Sequence, residues 1–143
     1  MERKDLPDYV KNDLIPTSLA FLMKNIRFEE PCYVYLYSGD TGTNQDRICY
    51  ISPDNSINWN EEDLCVSIPT WGVAFDWFEK NYNLFHSICH GYDDGYVTYT
   101  GFVNTMNNRI EWSGGDYESS LKLKEDCLKA LIQIAQKLIS KGF

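Results

Sequence analysis

At 143 residues, with 43% hydrophobic and 15% aromatic residues and a formal charge of −8, the chain has the composition of one globular domain rather than of a disordered or fibrous protein. No apolar run reaches the roughly 18–20 residues that span a bilayer. Met-Glu-Arg-Lys-Asp at 1–5 leads into no apolar segment of the secretory kind, so a cytoplasmic protein with no membrane partner is expected. Between Tyr37 and Glu118 thirteen acids face three bases, which disfavours direct nucleic-acid binding, since phosphates need a basic footprint.

Residues 1–14 are polar, with Leu6, Val10 and Leu14 at i, i+4 and i+8, which suits a short helix on the domain or a loosely attached N-terminal arm. Ile15-Pro16-Thr17 opens an amphipathic helix in which Leu19, Leu22, Met23 and Ile26 share a face, and the stretch up to Pro31 is expected to end it. The chain then alternates: Cys32, Val34 and Leu36 point one way and Tyr33, Tyr35 and Tyr37 the other, the period of a half-buried strand. Turn formers at 39–44 and a returning strand at 48–51 complete a hairpin. A polar connector runs from Pro53 to Asp63, and 65–68 is a short extended piece.

The spacing over 68–83 predicts a second amphipathic helix. Thr70 suits its N-cap, and Trp71, Ala74, Phe75, Phe78 and Tyr82 fall on one face, with Trp77 to the side. Asn81 or Asn83 can close it in a left-handed conformation. Strands are expected at 84–90, 96–103 and 109–113, separated by turns at 91–95 and 104–108, with Gly114-Gly115 breaking the pattern. The clearest helix is the last, about 119–140: Leu123, Cys127, Leu128, Leu131, Ile134, Ala135, Leu138 and Ile139 form its stripe, and Gly142 suits its cap.

The element order is αββ, connector, αβββα. Ile-Pro-Thr opens both halves, at Ile15 and at Ile68, and each is followed by strand, turn and strand, which is compatible with a duplicated αββ unit or with chance similarity of two capped helices. The expected fold is therefore α+β, a single domain over 1–143 with an antiparallel sheet of about five strands and helices packed on one face. Short turns between strands leave no room for parallel crossovers.

No catalytic constellation emerges. Asp40-Thr41-Gly42-Thr43 matches a short string of aspartic proteases, but Ser38-Gly39 stands where an apolar strand should lead in and no second half follows, so a hairpin turn accounts for it. His86-x-x-Cys89-His90 is the only cluster of soft ligand types. On a strand His86 and His90 share a face while Cys89 points away, which makes the two histidines weak metal candidates, and no cofactor is expected. Five widely spaced cysteines without a C-x-x-C pair read as small buried hydrophobes. Asp93-Asp94, with glycine on each side, fits hairpin geometry better than acid–base chemistry. The excess of rings is more informative: Tyr33, Tyr35, Tyr37, Trp59 and Trp112, with Asp93 and Asp94, are the candidate protein-binding residues, because such rings dominate binding hot spots.

Three stretches, SLAFLMKNIRFEEPCY, SIPTWGVAFDWFEKNYNLF and GDYESSLKLKEDCLKALI, resemble a family of small uncharacterised proteins found in phages and mobile elements of Bacteroidetes-type gut bacteria. The likeness covers most of the chain from Ser18 onward and rests on structural motifs: helix starts, a P-C-Y strand start and a Y-E-S cap. Ser119-Ser120-Leu121 stands where the family carries acids, and the second helix has extra Trp. The resemblance implies an accessory role and carries over no catalytic residue.

The expected function is that of a non-enzymatic cytosolic domain that binds another protein through a basic surface of the partner, as an accessory or counter-defence factor of a mobile element. Two alternatives stand beside it: a ligand-binding or hydrolytic pocket near His86 and His90, and an immunity protein against a basic toxin.

Overall fold

Local chemistry fixes both ends of the two long helices. In the computed structural model, which describes residues 3–38 and 46–142, Trp71–Tyr82 (α3) starts where the Thr70 hydroxyl accepts the Val73 N–H at 3.3 Å and stops where Asn83 turns left-handed at φ 52°. Ser120–Ser140 (α4) starts at Ser119, whose hydroxyl accepts the Lys122 N–H at 3.4 Å, and finishes at Gly142, φ 87°, whose N–H donates to the Ile139 carbonyl. Asp8–Lys11 (α1) and Thr17–Asn25 (α2) precede them. The stop of α2 differs from the expectation. Pro31 lies well downstream; the helix closes because Arg27 adopts φ 67° and the Phe28 N–H reaches back to the Met23 carbonyl at 3.0 Å, a Schellman closure built without glycine.

The chain is α+β and its strands are antiparallel, but six strands divide between two sheets instead of about five sharing one. The residue stretch that makes the difference is Cys65–Ser67 (β3), read from sequence as a mere extended piece. It pairs with the free side of Val34–Ser38 (β1), opposite Asp46–Tyr50 (β2), so the first hairpin acquires its own third strand in the order β2-β1-β3. The second sheet is Leu84–Asp93 (β4), Tyr96–Thr105 (β5) and Ile110–Tyr117 (β6) in sequence order. The hairpin turn carrying Asp40-Thr41-Gly42-Thr43 lies outside the described residues.

The chain clusters into two compact units, Met1–Ala74 and Phe75–Phe143. In the first, Val34 and Leu36 of β1 point into the core, and α2 packs beside β3. Leu6, Val10 and Leu14 are buried, and the Arg3 guanidinium donates to the Leu14 and Ile15 carbonyls at 2.8 Å each, so the N-terminal segment has a fixed course. The β3 edge is closed by side chains. Lys24 Nζ donates to the Cys65 carbonyl at 2.6 Å, and Asn60 Oδ1 accepts the N–H of the fully buried Ser67 at 2.9 Å.

In the second unit α4 lies across the sheet with Leu123, Cys127, Leu128 and Leu131 buried. The approach is close at Gly101: a Cβ there would stand 2.8 Å from Leu123 Cδ1, so a larger residue would require the Leu123 side chain to shift. Gly114-Gly115 does not break the pattern. Both lie inside β6, and a Cβ on Gly114 would collide with the rings of Trp112 and Tyr117 at 2.7 and 2.9 Å, which is why a glycine sits mid-strand. Ala130, Ile132 and Trp77 lie off the expected stripes and are nonetheless buried.

Candidate protein-binding surface

β4 and β5 pair over ten consecutive residues without a register shift, from Leu84 opposite Thr105 to Asp93 opposite Tyr96. Only Asp94 and Gly95 remain to turn the chain, and both are left-handed (φ 48° and 84°), the geometry of a type I′ turn, whose twist matches that of the strands. At this tip Tyr92 and Tyr96 are 79% and 75% exposed, far beyond what a packed ring shows, and Val97 is open beside them. Asp94, Asp116 and Glu118 join Tyr96, Val97 and Thr98 around a shallow recess of about 580 Å³. Asp116 is a further left-handed residue, φ 62°, at the end of β6.

The residues singled out from sequence fall in both units. Tyr35 and Tyr37 share the outer side of β1, Tyr33 directly precedes the strand, and all three are half-buried. Tyr35 stacks on Trp59 with ring centroids 3.7 Å apart, and the Trp59 indole N–H donates to the Cys32 carbonyl at 3.0 Å. Tyr33 meets Tyr50 edge-on at 5.9 Å. Burial raises the phenols of Tyr33 and Tyr35 above their ordinary value. These rings are largely engaged with one another, as cross-strand aromatics are. Trp112 is half-buried over Gly114, opposite Val103, roughly 23 Å along β5 from the tip at a strand rise of about 3.3 Å per residue. It does not join Asp94. The Asp93 side chain lies outside what is described.

His86 and His90 do share a face of β4, the one turned towards α4, through the pairs His86–Val103 and His90–Tyr99. Four residues of strand separate them by roughly 13 Å, too far for one ion. His86 stacks flat on Phe75 at 3.8 Å, and although much of its surface is open, the apolar face pushes its imidazole below the ordinary value against the pull of Glu79 and Asp76. Among the described residues no three His, Cys, Asp or Glu side chains converge as a metal site would require. Burial drives the thiols of Cys32 and Cys127 up to about 12. A second recess, about 540 Å³, lies at the far end of the same unit beside Leu84, Arg109, Lys137 and Lys141, and neither recess is lined by a histidine.

What sequence reasoning missed is the pair Tyr92 and Tyr96 with Asp116 and Glu118. The signal was present, since Asp94-Gly95 is a strong two-residue turn and its flanking tyrosines are thereby carried to the end of a long hairpin. No helix among the described residues is long and apolar enough to cross a membrane. No protein-family model matches the chain, and neither a curated protein nor a solved structure is significantly similar to it.

Proposed function

We propose that this protein acts by binding another protein, and that the tip of the β4–β5 hairpin is the surface it uses. The observation that carries the reading is the exposure of Tyr92 and Tyr96, 79% and 75%, on a rigid two-stranded projection among Asp94, Asp116 and Glu118. Tyrosine gives contact area at low entropic cost. The carboxylates select a basic partner and speed its approach, an effect that weakens as salt rises. A basic toxin met by an immunity protein is one such partner. The role of accessory or counter-defence factor in a phage or mobile element rests on the resemblance given above. The helix-then-hairpin order shared by the two units, α2-β1-β2 and α3-β4-β5, supports descent from a duplicated αββ unit, although the third strand joins β1 in one and β5 in the other.

The test is cross-linking and pull-down from the natural host with the full chain and two variants. One carries Tyr92→Ser and Tyr96→Ser; the other carries Asp94→Asn, Asp116→Asn and Glu118→Gln. Asparagine tolerates the left-handed backbone at 94 and 116, so the second variant removes charge and keeps the turn. One partner should be retained by the wild type, released by salt, and lost at least tenfold in both variants. Retention of the same partners by all three proteins overturns the reading.

A further inference from the structure

Two three-stranded sheets have four outer edges: β2, β3, β4 and β6. An outer strand shows a row of unpaired main-chain groups, and proteins blunt it with shortness, charge, proline, bulges or a covering element. β3 is three residues long and is stopped by Lys24 and Asn60. β2 is five residues long and carries Arg47. β6 shifts register twice, bends at Asp116 and carries Glu111. β4 has none of these devices. Its ten residues run in unbroken register with β5, contain no proline and no lysine, and from Leu84 to Tyr92 include no carboxylate. His86, Ser87, Cys89, His90, Gly91 and Tyr92 are exposed, and among the described residues no main-chain hydrogen bond joins β4 to anything but β5.

We propose that β4 is a self-association edge, and that its occupant is β4 of a second copy of this chain, paired antiparallel about a two-fold axis at Ile88. The choice of occupant follows from charge. Copies that each carry −8 repel wherever their acids meet, and the Leu84–Tyr92 stretch is a nine-residue strip that contributes no acid of its own. The strand itself offers a basic partner no carboxylate, the acids that act on it being Asp76 and Glu79 of α3 beside His86. The register follows from symmetry. A two-fold contact sets each residue opposite its mirror, and Ile88 is the midpoint of the neutral strip. Ile88 then faces Ile88 of the second copy, His86 faces His90, Ser87 faces Cys89 and Leu84 faces Tyr92. No pair includes a carboxylate or a lysine, and the overlap is the longest the strip allows. The product is a continuous sheet in the order β6-β5-β4-β4-β5-β6, with both α4 helices on the same face. Nine paired residues bury on the order of 1,000 Å² in total, the lower end for specific association, so a dimer in the micromolar range is expected. This inference shares Tyr92 with the hairpin tip but rests on the main-chain edge of β4, not on the tip's rings and carboxylates.

Sedimentation velocity on the full chain, from about 1 to 500 µM, should show a reversible shift from 16.6 kDa to twice that mass. Ser87→Lys with Cys89→Lys places lysines opposite one another across the axis on the sheet face turned away from α4. It should weaken the dimer at least tenfold while the far-ultraviolet circular dichroism stays unchanged. Independently, Ser87→Cys sets a thiol opposite Cys89 and should give a disulfide-linked dimer on mild oxidation, which Ser87→Cys with Cys89→Ser should not. A chain that remains monomeric at the highest concentration overturns the proposal. So does a dimer indifferent to the lysines, failure of the cross-link in a chain that dimerises, or growth into open-ended assemblies.

Discussion

Arg27 holds a position that most helices give to glycine. Its φ of 67° closes α2, and an L side chain there crowds its own carbonyl at a cost of about 1 kcal/mol. Arg27→Gly is therefore expected to raise stability by roughly 0.5–1 kcal/mol, read as a higher urea midpoint at unchanged slope. The thiols make a second expectation at the same scale. Cys89 is exposed and Cys49 half-buried, whereas Cys32, Cys65 and Cys127 are buried. A thiol near 12 leaves only roughly one molecule in ten thousand as thiolate at pH 8. Titration of the native protein with a disulfide reagent at pH 8 should accordingly label Cys89 first and Cys49 more slowly, with the other three reacting only on unfolding. Rapid labelling of Cys32 or Cys127 in the folded protein would contradict the packing described. Neither Arg27 nor the rank order of the cysteines could be read from sequence, because a left-handed arginine and an exposed cysteine have no local signature.

Elements differ in how much of themselves they announce. α3 and α4 were legible almost to the residue, since a hydroxyl start, a 3.6-residue stripe and an asparagine or glycine stop all agree there. The alternation of β1 was equally plain. β3 was not, because three residues carry no periodicity and its pairing is enforced from afar by Lys24 and Asn60. Asn60→Ala should cost about 1–3 kcal/mol, since it strips the partner from the buried Ser67 N–H and from the Phe28 carbonyl together. Asn55→Ala, on the exposed connector, should stay within about 0.5 kcal/mol. Chemical unfolding of both variants measures the difference, and equal effects would remove Asn60 from its role. β6 misled in the opposite direction: glycine is a breaker in most strands, and here it answers the rings of Trp112 and Tyr117, which lie three-dimensionally over it.

At the scale of the molecule, composition told the class and the sign of the field but not the count of sheets. A hairpin can recruit a third strand on either side, and only the pairing of β3 with β1 makes two sheets of three. The candidate site was half legible. The acidic middle and the ring excess led to an expectation of protein recognition, and two of the rings chosen for it, Tyr35 and Trp59, are stacked on each other. Of the rings most in the open, Tyr9, Tyr92 and Tyr96, two stand at the tip, at the facing ends of β4 and β5. The two proposed surfaces differ in charge: carboxylates line the tip, and the Leu84–Tyr92 stretch of β4 carries none.

The uninterrupted β4–β5 ladder has a consequence for synthesis. Ten pairs closed by a two-residue turn need only residues 84–105, and a hairpin of this kind forms in microseconds. A ribosome adds only about 5–20 residues each second. The hairpin is thus complete while α4, the last element, is still unmade, and the face that carries Gly101 and Val103 lacks the cover that Leu123 supplies. Chains cut short before Ser120 carry that bare face and the unguarded strand beside it, and they are the species a quality-control system would meet first.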